Sequence, residues 1–161
     1  MRGKIVSINI SDGGVPKLPV NGSAQVTHGG VAGDRQRNLK VHGGPDRAVC
    51  LYSVERITAL QGEGGSIIPG AIGENITISG INWDTMTPGM RLEIGKSAGG
   101  MVNVLLEITS YTAPCRHVAD YLPGRKLARI LQDKNPGWSR VYARVLQAGP
   151  IEVGDTIEII Q

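Results

Sequence analysis

Short apolar runs with a period of two run through most of the chain, interrupted every few residues by glycine or proline. Lys4 to Ile10 predicts a first strand with Val6, Ile8 and Ile10 on one face. A turn-rich connection from Ser11 to Pro19 leads to a short strand at Gln25 to Thr27. Ala48 to Tyr52 is a compact apolar strand. From Glu74 to Ser79, Ile76 and Ile78 alternate with Thr77 and Ser79. Arg91 to Ile94 and Val102 to Thr109 predict a strand pair joined by a Gly-rich connection. Val141 to Leu146 and Thr156 to Ile160 finish the chain as strands. Helical spacing is scarcer. Ser53 reads as an N-cap with Glu55 in the first turn, Val54, Ile57 and Leu60 on one face, and Gly62 as the stop. A short helix is expected after Cys115, and another from Arg125 to Gln132 with Leu127, Ile130 and Leu131 as its stripe.

Roughly eight strands that do not alternate regularly with long helices exclude a doubly wound parallel sheet. The pattern predicts a mostly β protein: a closed, antiparallel barrel with two or three short helices inserted at its ends. No repeat, low-complexity tract or linker divides the chain, so residues 1–161 read as a single domain.

Composition narrows the core. There is no Phe, and aromatics are 4% of the chain, so Val, Ile, Leu and Ala must fill the interior. The 23 glycines fit a strand-rich fold with many turns. A net charge of +3 favours anionic ligands mildly and is too evenly spread to argue for nucleic acid. No window is apolar enough for a membrane span, and the N-terminal MRGKIVSINIS lacks a signal-peptide core. The two cysteines sit in unlike surroundings, so the expectation is a cytoplasmic protein with reduced thiols.

Two stretches could carry chemistry. The first is GDRQRNLKVHGGPDRAVCLY, Gly33 to Tyr52. His42 precedes Gly43 and Gly44, which can take positive φ and let a ligand approach the backbone. Asp46 and Arg47 follow, with Arg35, Arg37 and Lys40 upstream. Such a loop can cradle an anion with guanidinium forks and amides; it also reads as a Gly-rich hairpin with solvated charges. The second stretch is TAPCRH. Cys115 follows Pro114 at a predicted helix start, beside Arg116 and His117, where a thiolate is favoured. That form attacks, carries sulfur or binds a soft metal; the alternative is a small packed cysteine. Cys50, inside AVCLY, reads as packing. His28 and His117 read as surface histidines. Glu74 and Asn75 follow Gly73, either as a turn or at a barrel mouth. Gly95-Lys96-Ser97 resembles the end of a P-loop, but Met90 stands where its first glycine belongs. Zinc lacks a second ligand pair, and no G-x-S-x-G elbow is present.

Together these segments resemble the MOSC family, named for the C-terminal domain of molybdenum cofactor sulfurases. The resemblance rests on GDRQRNLKVHGGPDRAV, GENITISG, the strand pair leading to APC, and RVLQAGPIEVGD, in the family's order over nearly the whole chain. The standalone bacterial members are the comparison. The resemblance implies a β-barrel with Cys115 at a cleft, as ligand to molybdenum or as persulfide carrier. It implies molybdopterin as the cofactor, with Arg35, Arg37, Lys40, His42, Gly43, Gly44, Asp46, Arg47, Glu74, Asn75 and Arg116 as candidates for binding it. One departure stands out: Thr112 occupies a position where many relatives carry Arg. A sulfur or electron donor protein would have to be a partner; the oligomeric state is open. The rival readings are a molybdenum-dependent reductase of N-hydroxylated compounds, a metal-free Cys-dependent hydrolase, and a binding module for another phosphate ligand.

Overall fold

In the computed structural model, residues 1–35, 43–96 and 101–160 are described. The strands are β1 (Arg2–Ile10), β2 (Leu18–Pro19), β3 (Ser23–Thr27), β4 (Gly30–Val31), β5 (Val49–Ser53), β6 (Ile76–Ser79), β7 (Arg91–Gly95), β8 (Val102–Tyr111), β9 (Val141–Gln147), β10 (Gly149–Glu152) and β11 (Thr156–Ile159). The main sheet runs β11-β7-β8-β9-β5-β6-β1, and β11 pairs back onto β1, which closes a barrel. Its pairings are antiparallel except β5 with β6. A smaller sheet, β10-β3-β4, stands beside it. The mostly antiparallel closed barrel read from the sequence is what the chain forms.

Closure leaves no long open edge, and the interior fills with branched aliphatics. Ile5, Ile8, Leu51, Ile76, Ile78, Leu92, Ile94, Val104, Leu106, Val141, Ala143 and Ile157 are at most 1% exposed. The expected face of β1 is corrected by a bulge. Its register against β6 shifts between Ile5 and Ser7, so Ile5 and Ile8 face inward while Val6 is exposed. Ser7 and Asn9 are thereby buried on the opposite face.

An α-helix, α1 (Val54–Gly62), follows β5 directly. Ser53 caps it as the sequence predicts: its hydroxyl accepts from the Arg56 amide at 3.2 Å. Ile57 and Leu60 are its buried residues. The short helix expected after Cys115 is a 3-10 helix, Arg116–Tyr121, while the helix expected from Arg125 to Gln132 gives way to 3-10 turns at Pro123–Arg125 and Leu127–Ile130. Pro123 and Gly124, the latter at φ 59°, interrupt any continuous α-helix there. Among the described residues no helix is long and apolar enough to cross a membrane.

The segment from Leu127 to Ser139 is fastened to α1 through Trp138. Its ring meets two guanidinium groups, Arg129 at 3.7 Å and Arg56 at 4.5 Å from the centroid. Arg129 is held in turn by a two-pronged bond to Glu63, at 2.8 and 2.7 Å. The Arg129 bonds hold the Glu63 carboxyl below its usual range. Arg56 reaches the Gly137 carbonyl at 2.9 Å and Asp84 at 2.9 Å. The sequence pattern did not announce this clamp, because its members are distant in the chain.

Candidate functional site

The two chemistry-bearing stretches meet on the outer face of β5, β8 and β9. Tyr111 ends β8, and the chain leaves it alongside the start of β9: the Thr112 amide donates to the Arg140 carbonyl at 3.0 Å, and the Ser139 hydroxyl donates to the Thr112 carbonyl at 3.1 Å. Thr112 is buried, and its Oγ1 lies 3.9 Å from the Cys50 sulfur. Three residues on, Cys115 is partly exposed and packs against the edge of the core. It is the N-cap residue of the turn Arg116–Tyr121, as its position after Pro114 suggested. Arg116 and His117 point into solvent.

Cys50 pairs across the sheet with Tyr142. Both side chains are nearly buried, at 4% and 6% exposed. Burial pushes the Cys50 thiol up, with Arg140 opposing and Glu74 adding to it. Burial likewise pushes the Tyr142 hydroxyl up, reinforced by Cys50 and Cys115 and opposed by Arg140 and Arg47. Both thiols thus lie within electrostatic reach of one tyrosine. Tyr142 stays a neutral phenol through the physiological range, and Cys50 a protonated thiol. The partly exposed Cys115 is therefore the thiol available to a ligand.

The Gly-Pro-Asp-Arg loop lies over the same face. Gly44 has φ 91°, which a side chain would strain. A 3-10 turn at Pro45–Arg47 then brings the Arg47 guanidinium 5.9 Å from the Tyr142 ring centroid. The loop is tied down through Asp46. Its carbonyl accepts from the Thr109 hydroxyl, and its carboxylate pairs with Arg144 of β9 at 3.5 Å. Gly43 is half-buried beside it. Arg37, Lys40 and His42 lie outside the described residues.

Beneath this face is a buried polar cluster that builds the wall from distant segments. Asn75 accepts from the Cys50 amide at 3.0 Å and donates to Asn9 O at 3.2 Å and to Asp34 Oδ2 at 2.9 Å. The expectation of a local turn at Asn75 therefore gives way to a three-segment bridge. Asp34 also accepts from Lys17 Nζ at 2.5 Å and from the Ser11 amide at 2.9 Å. Lys17 is held by its own amide, which donates to Gly70 O at 2.8 Å. Gly70 has no alternative there: a Cβ on it would sit 2.2 Å from the Lys17 carbonyl oxygen. Arg35 follows Asp34 with an exposed side chain, its amide bonded to Ser11 O.

Glu74 is fully buried and accepts from the Gly70 amide at 2.7 Å and from Thr77 at 3.0 Å, through one carboxylate oxygen. Its other oxygen, and Nε of the buried Arg140, have no hydrogen-bond partner among the described residues. Burial pushes the Glu74 carboxyl up; its bonds and Arg140 oppose the shift. Arg140 also donates from Nη1 to the Ile72 carbonyl. Glu74 and Asn75 are thus structural supports of the wall rather than groups on its surface. Among the described residues no three His, Cys, Asp or Glu side chains converge as a metal cage.

Lys17, Asp34, Arg140 and Tyr142 escaped the sequence reading. For β9 a signal existed: Arg140, Tyr142 and Arg144 alternate with Val141, Ala143 and Val145, which marks a polar outer face. Lys17 and Asp34 carried none, since 16 residues separate them in a turn-rich region.

Comparison with known proteins bears on the fold and the family. Residues 38–158 match the family model described as MOSC domain. The chain is 24% identical to YflK of Bacillus subtilis over 148 residues and 26% identical to YiiM of Escherichia coli over 151 residues. In each case this covers 91% of this chain and 63% of the relative, so the chain spans less than two thirds of those proteins. The crystal structure of YiiM from Geobacillus stearothermophilus superimposes with a TM-score of 0.75 at 25% identity, over 99% of this chain and 75% of that one. YuaD of Bacillus subtilis superimposes at 0.77 and 18% identity, over 99% and 96%, which shows a shared fold.

Proposed function

From the premise that the chain belongs to the MOSC domain family, and so has a molybdenum-cofactor-related role in general, we propose that it handles that cofactor through the Cys115 thiolate. Cys115 is either a ligand to the metal or the carrier of sulfur destined for it. The observation that carries the reading is the contrast between the two thiols. Cys115 is partly exposed and shares Tyr142 as a neighbour with Arg47, whereas Cys50 is buried against Thr112. A single soft sulfur donor suits a metal that arrives with the rest of its ligands already attached.

The residues present fit such a group. Arg47 lies over Tyr142, and Arg116 is exposed next to Cys115, so two cations flank the place for its anionic parts. Arg35, Arg37, Lys40 and His42 of the same stretch remain candidates for its phosphate, with Gly43 and Gly44 allowing backbone approach. When bound, the cofactor supplies redox-active molybdenum. The chain's own part is to present the Cys115 sulfur, to neutralise anionic charge, and to exclude water with Tyr142, Thr112 and the loop of Asp46. Arg116 stands in for the arginine that many relatives carry at the position of Thr112.

The test has two arms. Purified protein is mixed with molybdenum cofactor and, separately, with a cysteine desulfurase and cysteine. Retention of the pterin is followed by fluorescence, and a persulfide on Cys115 by mass spectrometry. Wild type should do at least one. Cys115→Ser should do neither, and Arg47→Ala should weaken pterin retention. A Cys115→Ser protein that equals wild type in both arms removes the proposal.

A further inference from the structure

The barrel has a recess at the end where β8 stops and β9 begins. It has a volume of about 230 Å³ and lies between the 83–87 and 132–139 segments. That is below the roughly 300–1,000 Å³ of drug-sized sites, so it suits a fragment-sized molecule. The floor is apolar and rigid: Trp83 and Met86 are 4% and 1% exposed. Trp83 is fixed on both sides. Its indole N–H donates to Ser139 O at 2.7 Å, and its ring meets Tyr52 edge-on at 5.8 Å. The far wall is fixed by the Trp138 clamp and by Gln132, whose side-chain oxygen accepts from the Gly137 amide at 3.2 Å.

The rim is polar and carries an ion pair, Asp84 with Arg56. Asp84 is the charged residue among those lining the recess. Its Oδ1 takes Arg56 at 2.9 Å, and Oδ2 has no bond among those of the described residues. Gly137 matters to this opening. A Cβ there would sit 2.1 Å from Asp84 Oδ1, so only glycine lets the carboxylate lie against that wall. Thr87 is exposed at the mouth. An aromatic floor beneath an exposed carboxylate, with one oxygen on Arg56 and the other open, can take a flat apolar body carrying a hydrogen-donating ammonium head.

We propose that this recess is a binding site for a small aromatic ammonium ion, separate from the Cys115 face. The connection between the two is covalent and short: Tyr111 lines the recess and Thr112 contacts Cys50, while Ser139 lines it and Arg140 enters the buried cluster.

The probe is benzylamine, titrated into the full chain while the Trp83 indole N–H is followed by NMR, with phenylacetate and benzyl alcohol as controls of matching shape. Saturable shifts are expected for benzylamine at millimolar concentration. Asp84→Asn should weaken it about threefold to fivefold, the upper range for an exposed ion pair. Thr87→Arg, which puts a cation at the mouth without touching the clamp, should abolish it. Thermal melts establish that both variants fold. Equal binding of phenylacetate or benzyl alcohol, unchanged affinity in folded Asp84→Asn, or no saturable benzylamine shift would each overturn the assignment.

Discussion

Replacing Lys17 by Met should be among the most damaging single changes in this protein, although Lys17 is far from Cys115 in sequence. The Lys17 and Asp34 side chains are 6% and 5% exposed, with 2.5 Å between Nζ and Oδ2. At that distance two unit charges attract by roughly 6–7 kcal/mol for an effective dielectric near 20. The cost of removing both from water is of similar size, so the intact pair is close to neutral for stability. Removing Lys17 alone is different. Asp34 keeps the Ser11 amide at 2.9 Å and the Asn75 amide group at 2.9 Å, but its charge stays buried without a cation. Breaking a buried pair in this way costs about 3–5 kcal/mol. That is a large share of the roughly 5–15 kcal/mol that holds a domain together. For a chain of this length it corresponds to a fall in Tm of roughly 6–20 °C. The assay is equilibrium urea unfolding of wild type, Lys17→Met, Asp34→Asn and the double variant. The double variant should lose less than the two singles summed, by about 2 kcal/mol or more. A Lys17→Met loss below about 1 kcal/mol, the size of an exposed pair, or strict additivity in the cycle, would refute the reasoning.

Other outcomes follow from the same structure. Iodoacetamide should label Cys115 in the folded protein and Cys50 only after unfolding, as read by peptide mass spectrometry; comparable labelling of Cys50 in native buffer would contradict the burial argument. The Glu74 carboxyl is raised above its ordinary 4.5 by burial. The folded state therefore holds that proton where the unfolded state has released it. Its stabilising contribution is full below pH 4.5 and is lost as pH rises through the folded value. Urea midpoints should show this downward slope in wild type and a flatter one in Glu74→Gln; identical slopes would remove Glu74 as its source. Trp138→Ala should cost about 2 kcal/mol by losing both guanidinium contacts, while Trp138→Phe keeps part of them; equal melts for all three proteins would count against the clamp.

What could be read from the sequence was what local physics decides. Ser53 caps α1 because its hydroxyl needs only the amide three residues on, and the alternation in β6 needs only its own four residues. The closed barrel follows from many short strands with few helices. The face of β1 was misread because a bulge changes side-chain direction, and the partner that registers it, β6, lies over 60 residues away. The helix expected at Arg125–Gln132 has a sound apolar stripe, but Pro123 and Gly124 just before it leave only 3-10 turns. At the candidate site, Cys115 and Arg47 were singled out by their motifs. Tyr142 was not, since only strand pairing brings it opposite Cys50. Asn75 looked like a turn residue because its three partners, Asn9, Asp34 and Cys50, come from three other segments.

The most direct test of the account is elemental analysis for molybdenum on protein purified from a host that makes the cofactor, wild type beside Cys115→Ser and Cys50→Ser. If the exposed thiol is the metal's ligand, wild type and Cys50→Ser carry stoichiometric molybdenum and Cys115→Ser carries none. Equal molybdenum in wild type and Cys115→Ser, or its loss in Cys50→Ser alone, would contradict the assignment of Cys115.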